Sequence, residues 1–229
     1  MRLIIFDLDG TLLDTRERDY QTFAYVFKKY GIKKLSRKKF FSLRRKGLIA
    51  SEIISYFLRY GNDSLRNEIL KKRKAIIEFD HFLKFDKPLF NLEKTLEKIR
   101  NKGIKIGIAS LRVSNEGFIK SIEQIGILEY VDVYLCRAHI PSPIFVNDDE
   151  QELIKMKEKL YCLIIQFSKI SRDETIVVGD SKIDLKAAEN QKIKAFGVLT
   201  PYNREILHSF CGVKIISNIP DILEILKII

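Results

Sequence analysis

The chain has 229 residues, of which 46% are hydrophobic and 31% are charged. This profile is typical of a soluble globular protein with one medium-sized domain or a domain with an insert, and no apolar run is long enough to span a bilayer. No signal-peptide cleavage region follows the N-terminus, and the three cysteines show no metal-binding spacing. We therefore expect a cytoplasmic protein with reduced thiols.

The net charge of +11 is concentrated in one contiguous part of the chain. Residues 15–85 contain 19 lysines and arginines against 7 acidic residues, whereas the remainder contains 22 against 23. A charge asymmetry of this kind is typical of a separate module that faces an anionic partner.

The first third of the chain predicts one strand and then only helices. An apolar run over residues 2–8 is typical of a short buried strand that stops at an acidic turn. Helical patterns follow at residues 15–30, 36–46, 51–60 and 63–83, with no strand between them. They predict a small helical bundle inserted directly after the first strand.

From Pro88 onward, strand and helix patterns alternate. Strands are predicted at residues 104–109, 131–135, 175–179, 193–198 and 213–216. Helices are predicted at residues 91–101, 114–125, 149–169, 183–190 and 203–209 and at the C-terminus. Alternation favours an α/β fold, a parallel sheet with helices on both faces. The predicted organisation is an α/β core domain of residues 1–14 and 86–229 that carries a helical domain of residues 15–85.

Acidic and hydroxyl side chains follow three of the predicted strands. Asp7 and Asp9 follow the first strand, Ser110 follows the second, and Asp180 with Asp184 follows the strand at residues 175–179. Because the carboxyl ends of parallel strands meet at one edge, where ligands bind, these groups are expected to converge. Oxygen ligands select a hard cation such as Mg²⁺. Taken alone, Asp7 and Asp9 are also compatible with an ordinary strand end and turn.

The ordered motifs resemble the signature of the haloacid dehalogenase superfamily. They are DLDGTLLD at residues 7–14, Ser110 after IGIA, a lysine further on, and VVGDSKIDLKAA at residues 177–188. The resemblance covers nearly the whole chain. It implies a Rossmann-like sheet and Mg²⁺-dependent phosphoryl transfer through an aspartyl-phosphate. The insert between the first and second motifs is similar to the family's helical cap of the first type, as in phosphoglycolate phosphatase-like members.

The resemblance also implies roles for the acidic residues. Asp7 is the expected nucleophile, and Asp9 is the expected general acid and base. Mg²⁺ is expected to be held by the Asp7 carboxylate, the Asp9 carbonyl and Asp180. Asp184 belongs to the same metal region, as a group that supports the ligands or orients the lysine rather than as a direct ligand.

Candidate substrate contacts lie beside these acids. Ser110 is expected to donate a hydrogen bond to a phosphoryl oxygen, and Gly10 and Thr11 to let backbone N–H groups approach the same oxygens. Arg112 is a candidate for a substrate phosphate, the alternative being a solvated arginine. Arg45 belongs to a basic run at the end of the second insert helix, a region that often faces the active site in the family.

The catalytic lysine has three candidates, Lys155, Lys157 and Lys159. On a continuous helix Lys155 and Lys159 share a face and Lys157 points elsewhere, so they cannot all reach the site. Unlike many relatives, the chain has no Lys-Pro pair that marks the choice. A related family pattern, in which a lysine and two further residues precede paired apolar residues, favours Lys157, whereas the longer Lys-Pro version of the pattern fits Lys155. A second departure from the family lies after the helix at residues 183–190, where Asn190 is expected to replace a glycine as the left-handed helix stop.

The sequence therefore predicts a Mg²⁺-dependent phosphatase that hydrolyses a small soluble phosphomonoester, as a monomer or homodimer. A phosphomutase or phosphotransferase on the same scaffold is the first alternative. A non-enzymatic protein that binds an anionic partner through its basic insert is the second. No aromatic-rich basic groove or recognised motif supports a nucleic-acid partner.

Overall fold

The protein is described by a computed structural model covering residues 1–32, 35–59, 62–141, 149–200, 203 and 214–224. Its strands are β1 (Leu3–Phe6), β2 (Leu13–Asp14), β3 (Lys87–Pro88), β4 (Lys105–Ser110), β5 (Val133–Cys136), β6 (Thr175–Gly179), β7 (Lys194–Val198) and β8 (Lys214–Ile216). Its helices are α1 (Arg16–Lys29), α2 (Arg37–Arg45), α3 (Ala50–Phe57), α4 (Asp63–Ile76), α5 (Asp80–Leu83), α6 (Leu92–Asn101), α7 (Asn115–Gln124), α8 (Glu150–Ser168) and α9 (Lys182–Asn190).

Six of the described strands form one parallel sheet in the order β5-β4-β1-β6-β7-β8. Strand β1 is completely buried and lies between β4 and β6. The residues that follow these three strands are therefore neighbours at one edge of the sheet. The predicted α/β class with an inserted helical bundle is confirmed.

Each face of the sheet carries its own apolar core. Alternate β1 side chains point to opposite faces, so Ile4 and Phe6 join one cluster while Leu3 and Ile5 join the other. Helices α6 and α7 supply side chains to the first cluster, and α8 and α9 supply side chains to the second. The predicted coverage of both faces is thus observed, and it holds the strand ends rigidly in register.

Helices α1 to α5 pack around a third apolar cluster, rich in aromatic residues. Phe23 lies at its centre and contacts Phe27 and Phe40, with ring centroids 5.7 and 5.3 Å away. Apolar burial of this kind is the main stabilising contribution in a small helical bundle. The predicted domain bounds at residues 15–85 stay a prediction.

A two-stranded antiparallel sheet stands at the root of these helices. Strand β2 pairs with β3, so that Leu13 lies opposite Pro88 and Asp14 opposite Lys87. The N–H of Leu89 extends the pairing by donating to the carbonyl of Leu12 at 3.0 Å. The chain therefore leaves the core and returns to it at adjacent points.

The helix predicted at residues 63–83 is wrong as a single element, because α4 ends at Ile76 and α5 begins at Asp80. Phe79 has an extended backbone between them, with ψ of 146°. The carboxylate of Glu78 leaves the helical path and accepts hydrogen bonds from the N–H groups of Val113 and Ser114, at 3.0 and 3.3 Å. A tertiary contact with the start of α7 thus interrupts a pattern that remains helical in sequence.

The left-handed residue after α9 is Lys192, with φ of 55°, and the prediction for Asn190 is wrong. Asn190 is the last helical residue. The N–H of Lys192 donates to the carbonyl of Glu189 and that of the buried Ile193 to Ala188, each at 2.9 Å. This places the turn two residues later, where Ile193 reaches the core.

Several predicted features fall partly or wholly outside the described residues. The helix at residues 203–209 and most of the C-terminal helix belong to this group, as do Cys211 and His208. Within the described ranges, no helix combines the length and apolarity needed to cross a membrane.

Candidate active site

Three carboxylates meet where β1 and β6 end. Asp7 follows β1 and donates its N–H to the carbonyl of Val178 at 2.9 Å, which ties it to the neighbouring strand. Asp180 follows β6, and Asp184 lies in the first turn of α9. Each offers an oxygen within 4.8 Å of the others. The structure thus brings together three of the four predicted metal-site residues through their side chains.

Lys157 is the lysine that reaches this cluster. Its side chain on α8 is almost completely buried and contacts Asp7, with its Nζ 2.7 Å from Asp184 Oδ1 and 2.7 Å from the carbonyl of Ala109. Lys155 and Lys159 are both exposed, Lys155 in an ion pair with Glu152 on its own helix. Of the three candidates, the structure places only Lys157 at the site.

Asp184 is held by neighbours on both oxygens. Oδ1 accepts from Lys157 and, at 3.2 Å, from the hydroxyl of Tyr161. Oδ2 accepts from the hydroxyl and N–H of Ser181, which begins α9. This geometry suits a group that orients the lysine.

Burial and mutual repulsion make this cluster electrostatically costly without a cation. Burial raises the pKa of Asp7 to about 7, with Asp184 adding to the rise and Lys157 opposing it. Burial, then Asp7 and Asp184, also raise the pKa of Asp180 well above its usual range. One ammonium group faces three carboxylates, so the surplus negative charge and the all-oxygen donor set fit a Mg²⁺ ion.

Gly10 and Thr11 position Asp180. Gly10 has φ of +94°, and a Cβ there would lie 2.4 Å from Asp180 Oδ2. The hydroxyl of Thr11 donates to Asp180 Oδ1 at 3.3 Å. The N–H of Gly10 donates to the carbonyl of Leu13 at 2.7 Å. This turn hydrogen bond occupies the Gly10 donor, and the prediction that Gly10 and Thr11 let backbone N–H groups approach a phosphoryl oxygen stays a prediction.

Asn203 is a further support for Asp180 that sequence reasoning missed. Its amide donates to the carbonyls of Asp180 and Val198, each at 2.8 Å. No motif marks Asn203, since it acts through backbone atoms of two different strand ends.

Ser110 is the last residue of β4 and is buried beside these groups. Its Oγ accepts the N–H of Arg112 at 3.3 Å, which fixes the start of the following loop. A hydroxyl accepting in this way keeps its own proton as a donor.

Arg112 is a buried arginine, so the alternative of a solvated side chain is wrong. It is 4% exposed. Its Nε and Nη2 donate to Asp9, Nη2 also donates to Asp86, and Nη1 donates to the carbonyl of Gly117 and the hydroxyl of Ser121. Every N–H direction of the guanidinium is therefore occupied in this arrangement, and the predicted contact of Arg112 with a substrate phosphate stays a prediction.

Asp9 lies apart from the three-carboxylate cluster and binds two arginines. Arg112 contacts it from the core, and Nη2 of Arg18 on α1 donates to its Oδ1 at 2.9 Å. Burial opposes the charge of Asp9, but Arg112 and Arg18 lower its pKa below the usual range. Sequence reasoning missed Arg18 and its second partner, Asp86, because they are 68 positions apart and belong to no motif.

A cavity of about 630 Å³ opens between the sheet edge and the insert. The core lines it with Asp9, Gly10 and Asp180. The insert lines it with one acidic side chain, Asp19, and with five basic ones, namely Arg16, Arg18, Arg44, Lys46 and Arg73. Arg45 is exposed and lies outside this lining, because successive helical residues are turned by about 100°. Its neighbour Arg44 faces the cavity and pairs with Asp19 at 2.7 Å.

Comparison with known proteins identifies the class of enzyme. The profile of the haloacid dehalogenase-like hydrolase family matches residues 4–198. The chain belongs to this family, and it is a hydrolase.

Its similar proteins carry phosphatase names. A pyrophosphatase PpaX from Halalkalibacterium halodurans is 23% identical over 226 residues, 98% of this chain and 96% of that protein. A phosphoglycolate phosphatase from Vibrio parahaemolyticus is 26% identical over 214 residues, 89% of this chain and 86% of that protein. A haloacid dehalogenase-like family hydrolase from Streptococcus pneumoniae shares the fold, with a TM-score of 0.77 at 17% identity over 99% of this chain and 98% of that chain.

Proposed function

We propose that this protein is a Mg²⁺-dependent phosphatase that hydrolyses a small phosphomonoester through an aspartyl-phosphate on Asp7. The observation that carries the proposal is the placement of Asp7 between the buried ammonium of Lys157 and the carboxylate of Asp180. The phosphatase names of the related proteins support the same reaction class.

Asp7 suits a nucleophile because it is held rigidly at a strand end. Its oxygen would attack phosphorus as the bond from phosphorus to the leaving oxygen breaks. Water would then attack the phosphorus of the aspartyl-phosphate, which releases inorganic phosphate and restores the carboxylate. Lys157 would offset negative charge on Asp7 and on the phosphoryl group throughout.

Asp9 would act as the acid and base of the two steps. Arg112 and Arg18 keep Asp9 ionised in this arrangement, so it would take up a proton from solvent as the anionic substrate binds beside it. It would give that proton to the leaving oxygen in the first step and take one from the attacking water in the second. The Asp7 carboxylate, the Asp9 carbonyl and Asp180 would hold Mg²⁺, which would neutralise charge on the nucleophile and the phosphoryl group. Ser110 would donate a hydrogen bond to a phosphoryl oxygen.

The substrate proposed is a phosphorylated metabolite small enough for the cavity. Its basic lining of Arg16, Arg44 and Lys46 complements an anionic substrate. Docking of the insert over the site would limit the entry of water other than the attacking molecule.

The test is turnover of p-nitrophenyl phosphate by the wild-type protein and by Asp7→Asn, with Mg²⁺ and with EDTA. We expect Asp7→Asn and EDTA each to abolish turnover, and Mg²⁺ to restore it after EDTA treatment. Acid-quenched wild-type protein should carry phosphate on the peptide that contains Asp7. The matched control Asp173→Asn changes an exposed aspartate and should keep full activity. Retained turnover in Asp7→Asn, or turnover that resists EDTA, would overturn the proposal.

A further inference from the structure

Four charged side chains form a network beside the three-carboxylate cluster. Asp9 follows β1, Arg18 lies on α1, Asp86 precedes β3, and Arg112 follows β4. The side chains of Arg18, Asp86 and Arg112 are 5%, 0% and 3% exposed, whereas that of Asp9 is 29% exposed. Asp9 is thus the most exposed member of the network, and it lines the cavity together with Arg18.

The two oxygens of Asp9 are held unequally. Oδ1 accepts from Arg18 Nη2 at 2.9 Å and from Arg112 Nη2 and Nε at 2.6 and 3.2 Å. Oδ2 accepts from Arg112 Nε at 2.9 Å. Oδ1 is therefore saturated, and Oδ2 retains a lone-pair direction. A carboxylate anchored through Oδ1 presents Oδ2 as the oxygen that can exchange a proton with a substrate.

The two arginines that bind Asp9 are held by different parts of the protein. Arg112 is fixed by the core through the carbonyl of Gly117, at 3.1 Å, and the hydroxyl of Ser121. Arg18 belongs to α1 of the insert and spans from Asp9 to Asp86, with 2.9 Å between Nη1 and Asp86 Oδ2. The Nε of Arg18 has no hydrogen-bond partner among the described residues. Both hydrogen-bonding nitrogens of Arg18 therefore serve this network.

We propose that Arg18 is a positioning residue for Asp9. It fixes the plane of the carboxylate so that Oδ2 faces the leaving oxygen, and its place on α1 makes that orientation depend on the docked insert. The inference rests on the proposed role of Asp9 in phosphoryl transfer. It adds a residue that acts through Asp9 without contacting the substrate.

The planar guanidinium of Arg18 is what allows this residue to bridge Asp9 and Asp86. Two nitrogens about 2.3 Å apart in a rigid plane can join two carboxylates, whereas a lysine supplies the same charge as a single point. Arg18→Lys therefore retains the charge and loses the bridge. Asp86→Asn keeps Arg18 but weakens its hydrogen bond with Asp86. It therefore disturbs the orientation of the Asp9 carboxylate without changing Arg18 itself.

The test uses two substrates that differ in their need for a proton. p-Nitrophenolate is a stable leaving group, whereas the alkoxide released from 2-phosphoglycolate needs protonation as the bond breaks. With Mg²⁺ present, a single-turnover experiment stopped with acid isolates the first step, in which the leaving group departs and Asp7 is phosphorylated. We expect Arg18→Lys to lower the rate of this step for 2-phosphoglycolate by about 10–100-fold, a part of the usual contribution of general acid–base catalysis. For p-nitrophenyl phosphate, the rate of this step should change by less than about twofold, and so should the concentration of either substrate that gives half the maximal rate, since only protonation of the leaving group is impaired.

Control variants separate the role of Arg18 from the role of Asp9. Asp9→Asn should also lose more rate on 2-phosphoglycolate than on p-nitrophenyl phosphate, and its loss should be larger than that of Arg18→Lys. If Asp9→Asn shows no such difference between the substrates, the role of Asp9 itself is overturned. Selective loss in Asp9→Asn but not in Arg18→Lys or Asp86→Asn would overturn only the role of Arg18. Arg66→Lys changes an arginine of the insert that pairs with Asp63, and it should leave both reactions unchanged.

Two other outcomes would also contradict the proposal. An equal loss in the rate of the first step on both substrates would mark Arg18 as a merely structural residue. A higher substrate concentration for half the maximal rate of this step, with that maximal rate unchanged, would mark it as a substrate ligand. Asp86→Asn gives an independent measurement if Arg18→Lys does not fold.

Discussion

Lys157 has the most closely constrained side chain of the candidate site. It is buried among Asp7, Asp184 and the carbonyl of Ala109, and these acids, against the opposing effect of burial, raise its pKa above the usual range. The ammonium is therefore permanently charged near neutral pH. Removing it leaves buried carboxylates without their nearest counter-charge.

We expect Lys157→Ala to lower kcat/KM for p-nitrophenyl phosphate by about 100-fold or more, as for the loss of a preorganised charge in an active site. Lys155→Ala and Lys159→Ala are matched controls on the same helix and should stay within about twofold of the wild type, since exposed substitutions have small effects. Steady-state kinetics with Mg²⁺ measure all three variants. A larger loss in either control would refute the role of Lys157.

Individual residues differ in how far the sequence predicted them. Asp7 and Asp180 were predictable because each directly follows an apolar strand, and strand ends in a parallel sheet share an edge. The ion pairs of Arg112 with Asp9 and Asp86 could not be predicted, since these partners are distant in sequence. Arg18 lies in a helix where an arginine is ordinarily solvated, and only the tertiary structure reveals its burial.

At the scale of elements, the break between α4 and α5 links the insert to the core. Glu78 sits in this break and accepts two N–H groups from the residues that precede α7. These groups belong to the loop that follows β4 and carries Arg112. The same loop is therefore held from the insert by Glu78 and by the network of Arg18.

We expect Glu78→Ala to destabilise the protein by about 1–2 kcal/mol, because the N–H groups of Val113 and Ser114 lose a charged acceptor. For a chain of this length, that corresponds to a fall of about 2–8 °C in Tm. Calorimetry or circular dichroism measures the change. The control Glu97→Ala removes an exposed carboxylate from α6 and should shift Tm by less than about 1 °C. Equal shifts in the two variants would show that the contact contributes nothing to stability.

Elements were predicted where local pattern and tertiary packing agree. The period of apolar residues identified the strands at residues 104–109 and 175–179 to within a residue or so, because each crosses the buried centre of the sheet. The helical period of apolar residues continued through residues 77–79, although there a contact with a distant loop redirects the backbone. Strands β2 and β3 have two residues each, too few for any periodicity to register.

Across the whole molecule, positive charge is concentrated on one side of the cavity. Residues 15–85 carry the basic excess, and Arg44 and Lys46 from that part line the space above the sheet edge. A field of this kind attracts anionic substrates and is screened by salt. Binding should therefore depend on ionic strength.

We expect kcat/KM for p-nitrophenyl phosphate to fall about 3–10-fold between about 0.01 and 0.3 M salt, mainly through KM, as screening shortens the reach of the charges. Lys46→Glu should lower kcat/KM at low salt and flatten its salt dependence. Lys98→Glu makes the same charge change at an exposed position of α6, outside the insert, and should leave the slope of this salt dependence close to that of the wild type. Identical slopes for the two variants would contradict steering by the cavity lining.

The pairing of β2 with β3 has a consequence for how such a protein can diversify. Leu13 lies opposite Pro88, so the ends of the insertion are fixed side by side whatever helices lie between them. Selection can lengthen, shorten or replace that segment without altering the six-stranded scaffold. Because Arg18 comes from the segment and holds Asp9, every such replacement also brings a new neighbour for that aspartate. Under the proposed function, substrate recognition and the orientation of the proton-transferring Asp9 would therefore be inherited together with this segment.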